Sequence, residues 1–136
     1  MYSVVIMPNN SCNYCKFEQD KLKPIIDKGS EVLPEIKLNL EQAVTESDIV
    51  ENLYILDRML DNGVTEVKEM YPTLSKFNNT ESPNVQTFLA GIYRKIKVPD
   101  AFGPLCAMLI RNSLNPPETS FDPNEEIGGA ILDYLA

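Results

Sequence analysis

The spacing of apolar residues predicts two strands and two helices in the first half of the chain. Residues 2–7 hold Val4, Val5 and Ile6 in a row, a short apolar run typical of a strand buried on both faces. Residues 35–40 alternate apolar and polar positions, which predicts a strand with one buried face. Residues 12–28 and 45–62 carry apolar residues at helical spacing instead, which predicts two helices.

Capping and breaking residues mark the ends of both predicted helices. Gly29 is placed to end the first helix, and Pro24 predicts a kink or an early end within it. Thr45 and Asp48 have the spacing of a capping box at the start of the second helix, and Gly63 follows its end. This second helix has the clearest apolar stripe in the sequence.

The second half of the chain predicts a hairpin and a last helix. Residues 73–77 and 85–90 read as short strands on either side of a polar turn, which is typical of a hairpin. A helix is expected within residues 99–114, starting near Pro104. Leu105, Met108 and Leu109 would face inward from this helix, and Cys106 is expected beside them as a small buried apolar residue.

The order of these elements predicts an α/β fold. The first half forms a β-α-β unit with parallel strands, and the hairpin and last helix complete it. We therefore expect a mixed four-stranded sheet with helices on both faces over residues 1–114. Residues 115–136 are expected to be a Pro-rich C-terminal tail, in which Gly128 and Gly129 weaken any helix.

Composition and charge narrow the functional classes. With 136 residues, 43% of them apolar, the chain is long enough for one domain with its own core. The net charge of −8 argues against nucleic acid and anionic membranes as partners. The chain has no histidine, which excludes Ser-His-Asp triads and His-ligated metal sites. The first residues lack the pattern of a secretory signal, and no apolar run could span a bilayer, so a cytoplasmic location is expected.

Candidate chemistry lies at Cys12 and Cys15, two of the three cysteines. The pair follows a predicted strand and opens a predicted helix. At a helix start, free N–H groups and the helix dipole lower the pKa of a thiol, and the thiolate is the nucleophile in disulfide exchange. Cys12 would attack a disulfide and Cys15 would resolve the mixed disulfide, with Lys16 adding a nearby positive charge.

Two separated segments resemble the thioredoxin superfamily. Residues 4–16 are similar to the strand and active-site turn of thioredoxins and glutaredoxins, and Tyr14 before the second cysteine is glutaredoxin-like. Residues 71–77 and 85–91 are similar to the proline-bearing strand, hairpin and glycine of thioredoxin and protein disulfide isomerase domains. The resemblance covers about residues 2–112.

The resemblance implies a thioredoxin-like fold and a redox-active disulfide. It also implies that Pro72 is cis and lies against Cys12 and Cys15, while the backbone of Tyr71 binds an extended substrate peptide. Tyr14 either stacks on the substrate or shields Cys15 from solvent. No cofactor or metal is needed, but a separate reductase or oxidase must regenerate the pair.

Three departures from the family pattern affect the expected partners. The chain has no tryptophan, residues 2–7 hold no carboxylate, and Gly91 is not followed by the Gly-Gly signature of glutaredoxins. Together with the net charge of −8, the missing signature counts against glutathione as a partner.

The favoured function is disulfide exchange with protein thiols and disulfides as substrates. Two alternatives stay open. One is a redox-inactive thioredoxin-fold module that binds partners through its long middle helix or its C-terminal tail. The other is a metal or iron–sulfur cluster held by Cys12 between two chains.

Overall fold

The computed structural model describes residues 21–136, and within them the protein is helical and has no strand. The seven α-helices of this part are α1 Lys23–Asp27, α2 Leu33–Gln42, α3 Glu46–Asp61, α4 Tyr71–Leu74, α5 Pro83–Ile96, α6 Phe102–Leu114 and α7 Pro123–Leu135. Short 3-10 turns connect several of them. The predicted α/β fold is therefore wrong, and with it the thioredoxin resemblance and the mixed four-stranded sheet.

Residues 35–40 form part of α2 rather than a strand. A strand would place Ile36, Leu38 and Leu40 on one face. The helix instead buries Leu33, Ile36 and Leu40 and leaves Leu38 51% exposed. Pro34 in the first turn is well suited to a helix start because its missing N–H would have no partner there. The three buried positions, spaced i, i+3 and i+7, are the helical signal that the polar-apolar alternation hid.

The predicted hairpin is also wrong, because residues 85–90 lie inside α5. Ser82 caps this helix by accepting a hydrogen bond from the Val85 backbone N–H at 3.2 Å, and Pro83 occupies its first turn. Val85, Leu89 and Ile92 are buried at helical spacing. Residues 73–77 belong to α4 and the following 3-10 turn, so neither predicted strand exists.

The predictions for α3 and α6 are confirmed. Thr45 Oγ1 accepts a hydrogen bond from the Asp48 N–H at 3.1 Å at the start of α3, as the capping-box spacing indicates. Gly63 follows its end with φ +88°, a conformation that glycine adopts without strain. Helix α6 buries Leu105 and Met108, whereas Cys106 and Leu109 are only half-buried.

Helix α5 is the central element of the packing. It contacts α3 on one side and α7 on another, and α7 in turn contacts α6. Helices α6 and α7 form an antiparallel hairpin. Where α6 ends and α7 begins, Asn112 Nδ2 donates to Asn124 Oδ1 at 3.1 Å. At the opposite end of the pair, the ring centroids of Phe102 and Tyr134 lie 6.0 Å apart.

A buried amide network joins α5 to this hairpin. Asn112 Nδ2 donates to Gln86 Oε1 at 2.7 Å and also to Asn124 Oδ1. Gln86 Nε2 donates to the backbone oxygen of Thr80 at 2.9 Å. Because an unpaired buried amide is costly, these bonds specify how α5, α6 and α7 meet.

Helix α7 continues through Gly128 and Gly129, which lie in the segment predicted to be a tail. Arg94 of α5 lies across Gly129, with Nη1 3.2 Å from Glu126 and Nε 2.5 Å from Asp133. A Cβ at position 129 would lie 2.9 Å from Arg94 Nη1, whereas one at position 128 would meet nothing within 4 Å. Hydrogen bonding to Arg94 holds the pKa of Asp133 below its usual range. The absence of a side chain at position 129 thus lets the guanidinium reach both carboxylates.

We expect the two glycines to respond differently to alanine. Gly128→Ala should stabilise the fold by about 0.5–1 kcal/mol, because alanine is the better helix former. Gly129→Ala should gain clearly less, because Arg94 must leave its place between the two carboxylates. Urea unfolding of both variants, at low salt and matched pH, measures the difference. Equal gains at the two positions would show that the Arg94 arrangement adds nothing.

Candidate interaction surface

Of the five residues predicted to form the site, only Tyr71 and Pro72 lie within the described part of the chain. Cys12, Cys15 and Tyr14 lie outside the described residues, so their predicted roles stay predictions. Tyr71 and Pro72 lie in the short helix α4 instead of on a strand. No peptide bond within residues 21–136 is cis, so the prediction of a cis Pro72 is wrong.

Tyr71 is used for packing between helices. Its hydroxyl donates to the backbone oxygen of Asp100 at 3.0 Å, and its ring centroid lies 5.4 Å from that of Tyr93. Its backbone is helical, unlike the extended strand through which the thioredoxin resemblance implied peptide binding. Pro72 is exposed in the first turn of α4. The substrate-binding role of the two residues stays a prediction.

One face of α6 carries exposed apolar residues along most of its length. Gly103, Ala107, Ile110 and Leu114 follow one another at spacings of four, three and four residues, which places them in one line along the helix. All four are exposed, Ile110 to 59% and Leu114 to 76%. We call these four residues the α6 stripe.

The stripe does not belong to the core, because α6 has a separate inward face. Leu105 and Met108 are fully buried there, and Asn112 joins the amide network. The one charged residue of α6, Arg111, is half-buried and donates to the backbone oxygen of Asn78 at 3.1 Å. The stripe is therefore uncharged and apolar in a chain whose net charge is −8.

Helix α2 shows what an ordinary solvent face looks like in this protein. Its exposed positions include Glu35, Lys37, Asn39 and Glu41. Leu38 is the one large apolar side chain exposed on this helix. A single exposed leucine is common on protein surfaces and indicates no function. The α6 stripe differs from this pattern, because its four apolar residues lie next to one another along the helix.

Open depressions flank both ends of the stripe. One, of about 500 Å³, is lined by Phe102, Tyr134 and Leu135 near the start of α6. The other, of about 700 Å³, lies near the end of α6. It is lined by Asn112, by the loop between α6 and α7, and by the first turn of α7. Tyr134 is fixed at the first edge because its hydroxyl donates to the Tyr93 backbone oxygen at 2.7 Å. Burial raises the pKa of Tyr134 to about 12, so this donor keeps its proton at neutral pH.

A charged cleft above Gly91 is explained by the fold itself. Carboxylates of Asp57 and Glu126 flank Gly91 in a space of about 200 Å³. Burial raises the pKa of Asp57 by more than the neighbouring ammonium of Lys95, 2.7 Å away, lowers it. Glu126 is bonded to Arg94. Each carboxylate has its own cation within the protein, so the cleft serves to join α3, α5 and α7.

The described residues hold neither a cluster of metal ligands nor a membrane-spanning helix. No group of three or more potential metal ligands (histidine, cysteine, aspartate or glutamate) lies together within residues 21–136. None of the helices in the same part of the chain has the length and apolar character needed to cross a membrane.

The sequence pattern itself holds a signal for the stripe. Helix α6 is apolar on more than one side, because Ile110 and Leu114 continue the apolar pattern beyond the inward positions. A surface helix normally shows one apolar stripe and a polar back. Helix α6 departs from this pattern, because apolar residues continue onto its outer side.

Comparisons with protein-family models, with curated proteins and with solved structures gave no match for this chain.

We expect Ile110 and Met108 to differ sharply in their tolerance of charge. Ile110→Asp should change the free energy of unfolding by less than about 1 kcal/mol, because the side chain stays in water. Met108→Asp, two residues away on the same helix, should cost about 3 kcal/mol or more because it buries a carboxylate without a partner. Thermal or urea unfolding followed by circular dichroism compares the two. A large loss for Ile110→Asp would place this face in the core.

Proposed function

We propose that this protein is a non-catalytic interaction module, and that the α6 stripe is the surface on which a helix of a protein partner docks. The observation that carries the proposal is the line of four exposed apolar residues without a charge on a strongly acidic protein. Exposing this line to water is unfavourable, and covering it with an apolar partner gains the hydrophobic free energy of the contact.

The form of the surface favours a protein helix over a small molecule. From Gly103 to Leu114 the stripe is about 16 Å long, at about 1.5 Å per residue, which equals three turns of a partner helix. Small-molecule sites are concave and enclose most of their ligand. The stripe is instead a convex helix face, and its flanking depressions are open. Apolar residues at i, i+4, i+7 and i+11 are the pattern by which helices bind one another.

A cytoplasmic location forms part of this proposal. The thiol of Cys106 is free and half-buried beside the stripe. Free thiols persist in reducing compartments, which supports the cytoplasm over an oxidising one.

The test is a binding measurement on matched surface variants. A photo-reactive amino acid at position 110, with one at position 37 of α2 as control, identifies chains that contact the stripe in an extract of the source cells. The identified chain is then purified, and its affinity is measured by calorimetry. We expect Ile110→Asp to weaken binding about tenfold or more, since a carboxylate would be buried in the contact. Leu38→Asp, at the exposed leucine of α2, should leave the affinity unchanged. Equal effects of the two variants, or crosslinks at position 37 alone, would contradict the proposal.

A second candidate function rests on Cys12 and Cys15, whose two-residue spacing is that of dithiol oxidoreductases. In this reaction the thiolate of Cys12 attacks a protein disulfide, forms a mixed disulfide and releases one substrate thiolate. The thiolate of Cys15 then attacks the Cys12 sulfur, which closes a Cys12–Cys15 disulfide and releases the second substrate thiolate. Two electrons pass to the substrate, and an external dithiol returns the pair to its reduced form.

Reduction of insulin by dithiothreitol, followed by turbidity, tests this candidate. If it is correct, the wild-type protein accelerates the reaction, and Cys12→Ser abolishes the acceleration because the attacking sulfur is lost. Cys106→Ser is the matched control and should keep full activity. Wild-type protein that is no faster than dithiothreitol alone would exclude disulfide exchange with this substrate.

A further inference from the structure

We propose that the helix that covers the α6 stripe is α6 of a second copy of this chain, packed antiparallel across a two-fold axis. The inference rests on the proposed function of the stripe and names its partner. It follows from the order of side-chain sizes along the stripe and from the charge of the molecule.

The side chains of the stripe change in size from one end to the other. Gly103 and Ala107 occupy its first half, and Ile110 and Leu114 occupy its second half. A two-fold axis midway between positions 108 and 109 places Gly103 opposite Leu114 of the other copy. It also places Ala107 opposite the other Ile110. Each large residue then meets a small one, so the face is complementary to itself, as a two-fold contact requires.

A parallel arrangement would not fit in the same way. It would place Leu114 against Leu114 and Gly103 against Gly103, so the helices would be forced apart at one end and leave a gap at the other. Voids and overpacking both reduce stability. The antiparallel arrangement avoids both and is the one that the size gradient favours.

Charge restricts where two copies can approach each other. Each chain carries a net charge of −8, so most contacts between copies bring like charges together. The α6 stripe has no carboxylate, and α6 as a whole carries only Arg111. Two copies can therefore meet at this helix without bringing carboxylates of α6 together. The remaining long-range repulsion should weaken as salt is added, because the Debye length falls to about 10 Å at 0.1 M.

The extent of the stripe indicates a reversible dimer. Stable interfaces bury about 800 Å² per partner, more than three turns of one helix supply. Each monomer also has a complete core, with Leu105 and Met108 buried on the inner face of α6. We infer that monomers fold alone and associate at high protein concentration.

Disulfide trapping tests the antiparallel arrangement directly. In a background in which Cys12, Cys15 and Cys106 are serine, single cysteines are placed at Gly103 and Leu114. Equivalent positions at either end lie about 16 Å apart along the helices of an antiparallel pair, at about 1.5 Å per residue. That separation is beyond the reach of a disulfide, for which the Cα atoms must lie within about 7 Å.

We therefore expect Gly103→Cys alone and Leu114→Cys alone to form no disulfide dimer above the rate of an exposed Lys37→Cys control. An equimolar mixture of the two should form a mixed disulfide at least about tenfold faster than either alone. Fast dimers of each variant by itself would indicate parallel packing and overturn the proposal. A mixture no faster than the control would overturn it as well.

Sedimentation equilibrium of the unmodified full chain separates this inference from the proposed function. We expect concentration-dependent dimerisation that strengthens between about 20 and 200 mM salt, a range over which the Debye length falls about threefold. Ile110→Asp should weaken it at least about tenfold, and Leu38→Asp should not. A chain that stays monomeric at millimolar concentration overturns the dimer. The proposed function then still stands if a different protein binds in an Ile110-dependent way, and it fails if none does.

Discussion

The structure depends on the enclosure of α5. This helix is contacted by α3 and α7, and its apolar residues Leu89 and Ile92 are completely buried. Several polar side chains of this helix bond neighbouring elements, because buried polar groups lose water as a partner. The hydroxyl of Tyr93 donates to Asn78 at 2.5 Å, and Gln86 bonds Asn112 of α6. Because hydrogen bonds are directional, they fix the positions of the surrounding helices more precisely than apolar contact alone would.

Two cations near the end of α5 also join it to its neighbours, through ion pairs at the surface. Arg94 reaches Glu126 and Asp133 of α7, while the adjacent Lys95 reaches Asp57 and Asp61 of α3. Successive residues on a helix point about 100° apart, so these two cations contact different neighbouring helices. Helix α6 receives support from α7 and from the amide network, both on its inner side. Its outer side, which carries the stripe, has no neighbour among the described residues.

Helix α3 was predictable from the sequence, whereas α2, α5 and α7 were not, although α5 and α7 have 14 and 13 residues. Helix α3 has sixteen residues, a Thr45 cap and a following glycine, so local and periodic signals agree. In windows of six residues, alternation and helical spacing overlap. Residues 35–40 satisfied the strand pattern, although Leu33, just outside the window, completes a helical face with Ile36 and Leu40.

The Ser82-Pro83 start of α5 was a helix signal that the polar turn around it concealed. The thioredoxin resemblance gave these ambiguous windows a consistent but wrong interpretation. The candidate surface needed coordinates, because spacing predicted the inward face of α6 but did not show that Ile110 and Leu114 are exposed.

The amide network has a consequence for how this sequence can vary. Asn112 donates to both Gln86 and Asn124, so the three side chains form one unit contributed by three helices. Replacing Asn112 alone by an apolar residue removes the donor to the buried Gln86 Oε1, whereas replacing the three side chains together with apolar ones of similar shape removes the need for these hydrogen bonds. Positions 86, 112 and 124 should therefore covary among homologous chains, either retained as a set or exchanged as a set.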